Sequence, residues 1–296
     1  MIRVIVNCNA RAMQDEAART TLTESVQRAV PDAQVWFTDD STTVDDLVKR
    51  ALADGATTLV GGGGDGTINA VASAVVGTDL VLGVLPLGTL NHFAKDLTVP
   101  ADIDNAVLLL RDGVVSEVDV GEVNGRIFLN NSGLGLYPDI VHQREIRQKH
   151  GASKWPAAFA SALRALTRYR VLGIRLTVDG KTMLRRTPAV LVGNNEYTTE
   201  GGLAAKRLAL DEGMLSLYLP RRGGRVKLIW FSLRALIGNS RRVNTFEVLL
   251  SDAFTIESRH AGLRVSLDGE VTLLSTPLEY RCRAKALRVL VPTLVR

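Results

Sequence analysis

Seven residues in succession, Gly61-Gly-Gly-Gly-Asp-Gly-Thr67, offer main-chain N–H groups with almost no side chain in the way. A run of this kind that opens a helix is suited to phosphate oxygens, because the first N–H groups of a helix have no intrahelical partner and the helix dipole favours negative charge there. Ordering glycine costs more backbone entropy than ordering any other residue, so four in a row argue for close backbone approach. Asp65 adds a carboxylate that a metal ion can bridge, and Thr67 adds a hydroxyl. The plainer reading is a glycine turn in which Asp65 only caps the helix.

Two familiar phosphate fingerprints do not account for the run. Gly61, Gly63 and Gly66 formally satisfy G-x-G-x-x-G. The loop, however, follows the third strand of the pattern, and no acidic residue ends a strand about 20 residues later to hold a ribose. Asp65 would also repel a pyrophosphate unless a cation intervened. The only Gly-Lys-Thr, at Gly180, has Arg175 where a Walker loop needs its leading glycine. A second segment, Gly83-Val-Leu-Pro-Leu-Gly-Thr-Leu-Asn-His-Phe-Ala-Lys95, follows the next strand. In a parallel sheet its loop lies at the same carboxyl edge, where ligands collect.

The elements that position these loops alternate. Residues 3–7, 34–38, 56–60 and 80–85 read as strands, and residues 15–30, 43–54, 67–76 and 102–111 as helices. That alternation predicts parallel pairing in an α/β layer structure. After about residue 118 the texture changes to short alternating runs at 118–123, 126–130, 173–178, 189–193, 214–219, 245–250 and 263–268, with Val178-Asp-Gly-Lys as a hairpin signal. These predict antiparallel β structure interrupted by helices near 156–169 and 226–237. The expected fold is an α/β domain over 1–118, joined by a returning strand within 284–296, plus an antiparallel β-sandwich domain over 119–283. An interdomain cleft between them is expected.

Composition narrows the class. The chain has 296 residues, 46% hydrophobic and 23% charged, which is ordinary globular usage and leaves disorder, coiled coil and collagen without support. The longest apolar run, residues 80–90, is broken by Pro86 and Thr89 and falls short of the roughly 20 residues a spanning helix needs. The amino terminus does not read as a signal peptide. Cys8 and Cys282 have no CxxC or metal-ligand spacing, which suits reduced thiols in the cytoplasm. Residues 1–148 carry 11 Lys and Arg against 20 Asp and Glu, whereas residues 149–296 carry 25 against 11. The second half is therefore basic, and its charge suits phosphate, anionic membrane or nucleic acid alike.

Three motifs, Gly63-Gly-Asp-Gly-Thr67, Pro86-Leu-Gly-Thr-Leu-Asn-His-Phe-Ala94 and Leu267-Asp-Gly-Glu270, together resemble the diacylglycerol kinase catalytic domain family. The resemblance is to its bacterial lipid kinases in particular, and more distantly to sphingosine and NAD kinases. Leu129-Asn-Asn-Ser-Gly-Leu-Gly135, Val192-Gly-Asn-Asn195 and Ala209-Leu-Asp-Glu-Gly-Met-Leu215 support it in the family's order.

The resemblance implies an ATP- and Mg²⁺-dependent lipid kinase of phospholipid biosynthesis. It places nucleotide contacts at Asn9, Thr38, Gly63, Gly64, Asp65, Gly66, Thr67, Ile68, Asn69 and Thr89, with Lys95 as a phosphate contact. Glu270 is implied to be the proton acceptor, with Asp65 beside the phosphates. Taken without the family, Asp-Gly-Glu is a common hairpin turn ending in a solvated acid. A structural Mg²⁺ is implied at the carbonyls of Ala209 and Met214 and the carboxylate of Glu212. Here the chain reads Asp211-Glu-Gly, one methylene longer than the usual Asp-Asp-Gly, and His92 stands where aspartate is frequent.

The implied partner is a lipid, met at a peripheral membrane surface on the inner face, and nucleic acid is not implied. A homodimer stays open. The basic segment 221–242 reads either as an interfacial amphipathic helix or as a helix packed on the sandwich. A kinase for a soluble acceptor, NAD kinase-like, and a non-catalytic nucleotide- or lipid-binding module are the alternatives.

Overall fold

The computed structural model describes residues 1–135, 171–197, 207, 209–220 and 246–293. The expected helices at 156–169 and 226–237 and the basic segment 221–242 lie outside these residues. The chain divides into two compact units, 1–120 with 284–296 and 121–283.

The first unit is built on a parallel sheet. β1 (Ile2–Val6), β2 (Gln34–Phe37), β3 (Thr58–Gly63) and β4 (Val81–Pro86) run in the order β2-β1-β3-β4. The end of the long strand β16 (Leu278–Val291) joins β4 in parallel, with Arg288 opposite Val81. The helices follow from capping and periodicity. In α1 (Glu16–Ala29) Asp15 accepts the Ala17 N–H at 3.2 Å, and Leu22, Val26 and Ala29 line the buried face. In α2 (Val44–Ala53) Thr43 and Asp46 form a reciprocal capping box, and Leu47, Val48 and Ala51 are buried. Helix α3 (Asp65–Val75) buries Ile68, Val71, Ala72 and Val75. After the short α4 (His92–Asp96), Asp102 caps α5 (Ile103–Asp112) through the Asn105 N–H. Right-handed crossovers send α1 and α5 to one face of the sheet and α2 and α3 to the other, and each pair packs together.

The glycine run differs from the sequence expectation in one respect. Gly61, Gly62 and Gly63 belong to buried β3, so the loop shrinks to Gly64 and α3 begins at Asp65. The reason is packing. A Cβ on Gly61 would lie 3.4 Å from the Ile68 Cα, and one on Gly62 would lie 3.1 Å from the Val6 side chain. Gly61 lets α3 settle directly on the sheet, and Gly62 leaves room for the Val6 and Leu87 side chains.

The second unit holds antiparallel sheets. One has the order β12 (Phe246–Ser251), β11 (Leu215–Pro220), β10 (Ala189–Asn194), β7 (Asn131–Gly135), β14 (Gly262–Leu267) and β15 (Glu270–Ser275). The other contains the start of β16, then β13 (Ala253–Ser258), β8 (Leu172–Val178) and β9 (Lys181–Thr187). Strand β5 (Val114–Val123) pairs with β6 (Arg126–Phe128). Leu134, Val192, Leu217 and Val265 from the first sheet meet Leu176, Phe254, Ile256 and Tyr280 from the second in one buried core. Tyr280 stacks on Phe254 at 4.9 Å, and its hydroxyl lies 2.9 Å from the Ser132 hydroxyl. Strands β7, β9, β13 and β15 and the start of β16 are absent from the sequence expectation. β9 and β15 are edge strands whose mostly exposed or half-buried residues leave no apolar alternation to read.

Candidate functional site

At the carboxyl edge of the first unit's sheet, the exits of β1, β2, β3 and β4 converge in a hydrogen-bonded frame. The Asn7 side-chain amide donates to the Thr67 hydroxyl at 3.1 Å, and the Asn7 side-chain oxygen accepts the Asn9 N–H at 2.9 Å. The Thr38 hydroxyl accepts the Cys8 N–H at 3.0 Å, and the Thr38 N–H donates to the Val6 carbonyl. Thr38 and Thr67 are each 7% exposed. Because each hydroxyl accepts in these contacts, its own proton remains available to donate.

The two loops touch through glycine. The Gly63 carbonyl accepts the N–H groups of both Leu87 and Gly88 at 3.1 Å. A Cβ on Gly88 would fall 2.4 Å from the Gly64 Cα, and one on Gly63 would fall 2.5 Å from the Thr67 hydroxyl. Asn91, with φ at 50°, ties the second loop by donating to the Pro86 and Gly88 carbonyls at 3.0 and 2.8 Å. Asp65, half-buried at the first turn of α3, accepts the Phe93 N–H at 3.4 Å and so reaches the second loop as well.

Side chains cap α1, α2 and α5, whereas α3, which starts after Gly64, and the short α4 have no side-chain cap at the N-cap position. The first-turn N–H groups of α3 therefore face outward at a positive helix end, the arrangement that receives an anion. Gly66 and Asn69 are half-buried on this helix, and Thr89 and Lys95 are exposed on the second loop and α4. Ile68 is fully buried, and its N–H is engaged by the Gly64 carbonyl. Asn9 is exposed beside the cradle.

Glu270 belongs to the second unit. It is the exposed first residue of β15 and pairs with Leu267 across a two-residue turn, Asp268 and Gly269, with φ of 47° and 96°. Sequence reasoning gave Asp268 no role. Its carboxylate accepts the N–H groups of Leu129, Asn130 and Asn131 at 2.7, 2.8 and 3.0 Å, which fixes the turn to the segment before β7. The signal was present in the Leu-Asp-Gly-Glu motif, but the partner segment lies some 140 residues earlier and only the fold brings it there.

Beside that segment lies a buried polar cluster. Arg207, 9% exposed, donates to the Leu129 carbonyl at 2.6 Å and to the Asn130 side-chain oxygen at 3.3 Å. Asn195, fully buried with φ at 64°, donates its N–H to the Met214 carbonyl at 3.0 Å.

Ala209 is half-buried, while Glu212 and Met214 are exposed around Gly213, whose φ is 71°. The all-oxygen set expected there, two carbonyls and a carboxylate, is of the chemistry Mg²⁺ takes. Among the described residues no group of three or more His, Cys, Asp or Glu is placed to hold a metal, so such a site would rest on main-chain carbonyls.

Comparison with known proteins bears on the family of the chain. Residues 1–123 match the family model described as the diacylglycerol kinase catalytic domain, and residues 141–291 match the YegS C-terminal NAD kinase beta sandwich-like domain. A probable lipid kinase YegS-like protein of Pseudomonas aeruginosa is 31% identical over 254 residues, covering 83% of this chain and 80% of the relative. The Pseudomonas syringae pv. tomato protein of the same name is 30% identical, covering 95% and 93%. The Bacillus subtilis diacylglycerol kinase is 27% identical, covering 72% and 70%.

In fold, the chain is similar to a solved diacylglycerol kinase from Bacillus anthracis str. Sterne, with a TM-score of 0.70 at 22% identity over 100% of this chain and 98% of that one. The motifs, the order of the two domains and the relatives agree, and the chain belongs to the diacylglycerol kinase catalytic domain family, among its bacterial YegS-like lipid kinases.

Proposed function

We propose that the protein is an ATP-dependent lipid kinase that transfers the γ-phosphate to a hydroxyl of diacylglycerol or a related lipid. The observation that carries the reading is the uncapped start of α3, set in a frame where Gly63, Gly64 and Gly88 exclude side chains from the backbone.

In this reading the first-turn N–H groups of Asp65, Gly66 and Thr67 hold phosphate oxygens. The protons of the Thr38 and Thr67 hydroxyls, with Thr89 and Lys95 on the second loop, add contacts. Asn9 borders the nucleotide. Mg²⁺ would be held near Asp65 and would supply charge neutralisation, which with positioning dominates phosphoryl transfer. Glu270 accepts the proton that the lipid hydroxyl loses as its oxygen bonds to phosphorus and the bond to the leaving diphosphate oxygen breaks. The exposed carboxylate suits an acceptor delivered from outside the core. Residues Ala209, Glu212 and Met214 would hold a second, structural Mg²⁺ through two carbonyls and a carboxylate.

Contact with a membrane surface on the inner face follows from a lipid acceptor. Among the described residues no helix is long and apolar enough to cross a membrane. The test is transfer of label from γ-labelled ATP to a panel of acceptors in mixed micelles, with Asp65→Ala protein as the blank. Labelled phosphatidate from diacylglycerol is the expected product. Label on NAD or a water-soluble alcohol alone would favour the NAD kinase-like reading, and no transfer to any acceptor would favour a binding module.

A further inference from the structure

The β8–β9 hairpin of the second unit has no part in the chemistry above. Beside it opens a cavity of about 1390 Å³, with Arg186, Arg259 and His260 among its charged and polar walls and Val171, Leu184 and Leu219 among its apolar ones. Two other arginines on the wall are matched by acids, Arg175 by Glu257 at 3.2 Å and Arg185 by Glu247 at 3.5 Å. Among the described residues Arg186 and Arg259 make no ion pair, and both are exposed. Leu184, between Arg185 and Met183 on the edge strand, is 74% exposed.

A charged edge strand protects a sheet from pairing with another chain, which would explain Lys181, Arg185 and Arg186 on β9. It does not explain Arg259 at the end of β13, nor the bare Leu184 beside these cations. Uncompensated guanidiniums next to exposed aliphatic surface complement an amphiphilic anion. The planar fork of arginine grips phosphate oxygens in pairs, and acyl carbons are taken up by Leu and Val.

The strand register separates this cavity from the proposed acceptor base. The row that starts at Glu270 passes through Leu267, Ser132 and Val192 to Leu217. Leu219 lies on that fifth strand two residues further along, and four strand spacings of about 4.8 Å make roughly 19 Å across the sheet. The cavity is thus a second place within the unit, away from Glu270.

We propose that this cavity binds an anionic phospholipid, with the phosphate on Arg186 and Arg259 and an acyl chain against the exposed Leu184 and Val171, and that it anchors the second unit to an anionic bilayer. The inference goes beyond the kinase reading and stands apart from it. Diacylglycerol, the acceptor proposed above, is neutral and supplies no anchoring charge, whereas a phosphate-bearing lipid does.

The experiment is flotation of the full-length protein with vesicles of phosphatidylcholine alone and of phosphatidylcholine with phosphatidate. Binding to the second and not the first is expected. Arg186→Glu with Arg259→Glu should weaken it by about tenfold or more. Leu184→Asp should weaken it as well. Lys181→Glu, on the same hairpin but outside the cavity, should stay within about twofold of the parent. Thermal melting of each variant excludes unfolding as the cause.

Equal loss in Lys181→Glu would mean diffuse charge and would overturn the site, as would undiminished binding of the double variant. Complete release by millimolar inorganic phosphate or glycerol phosphate would show that phosphate alone is recognised and would overturn the acyl part. Glu270→Gln protein is expected to float like the parent whether or not phosphoryl transfer occurs, so failure here and failure of the kinase reading are distinguishable.

Discussion

Asp268 and Asn131 hold each other twice: the Asp268 carboxylate accepts the Asn131 N–H at 3.0 Å, and the Asn131 carbonyl accepts the Asp268 N–H at 2.9 Å. With the N–H groups of Leu129 and Asn130 on the same carboxylate, the turn that presents Glu270 is pinned to the strand beside it. A carboxylate receiving several main-chain N–H groups makes charge-assisted bonds roughly twice as strong as neutral ones.

Asp268→Asn should therefore lower both stability and turnover. One acceptor oxygen becomes a donor that faces N–H groups, and the expected loss is about 1–3 kcal/mol in urea unfolding. The reduced turnover should fall mainly in kcat, because the change loosens the residue behind Glu270 and leaves the nucleotide frame alone. Unchanged stability would mean that the turn does not need its three donors.

Gly88→Ala tests the contact between the two loops of the first unit. Its Cβ would land 2.4 Å from the Gly64 Cα, backbone against backbone, so the loops must part. ATP affinity in calorimetry should drop by about tenfold to a hundredfold, since small misplacements of a binding frame carry penalties of that order. The circular dichroism spectrum should stay that of the parent. Parental affinity would show that the cradle tolerates the displacement.

How much of this was legible in the sequence depends on the kind of signal. The alternation of strand-like and helical runs marked the parallel half within two or three residues at most boundaries. Helix α1, for instance, is expected over 15–30 and spans Glu16–Ala29. Dipeptides with their own turn geometry were also readable, and Asp179-Gly180 forms the hairpin expected of it, with φ of 49° and 73°. The glycine run reads as a loop in the sequence, and its first three residues are strand in the structure. Gly61 is needed where α3 packs on the sheet and Gly62 beside Val6 and Leu87, and composition alone does not distinguish such packing from a ligand loop. Asp268 was missed because its partners are main-chain groups, and main-chain groups carry no residue-type signature.

A pH effect is expected beside the cradle. The Ser41 hydroxyl, then its N–H, and the corresponding groups of Thr42 hold the Asp39 carboxyl below its ordinary value of 3.8. A folded pKa below the unfolded one gives stability that is present above pH 3.8 and lost as pH falls through the folded value. Carboxyl NMR titration should place the Asp39 midpoint below 3.8, and Ser41→Ala should move it back up. A midpoint at or above 3.8 in the parent would contradict the hydrogen bonds that Ser41 and Thr42 donate to Asp39.

In the second unit, Tyr280→Phe should cost about 1–2 kcal/mol, because the Ser132 hydroxyl loses its buried partner while the stacking on Phe254 survives. Burial pushes the Tyr280 phenol well above its usual 10. The unfolded chain releases that proton near pH 10 and the folded one keeps it, so stability should decline as pH rises past 10. Ultraviolet titration that finds every tyrosine ionising near 10 in the folded protein would contradict this.

The central claim is that the first unit grips the phosphates while Glu270 takes the acceptor proton. It is tested most directly by Glu270→Gln protein measured two ways, by calorimetric binding of Mg·ATP and by lipid-dependent phosphate transfer. The account predicts ATP affinity within about twofold of the parent and transfer reduced by about a hundredfold or more. Transfer at the parental rate with this substitution would contradict it.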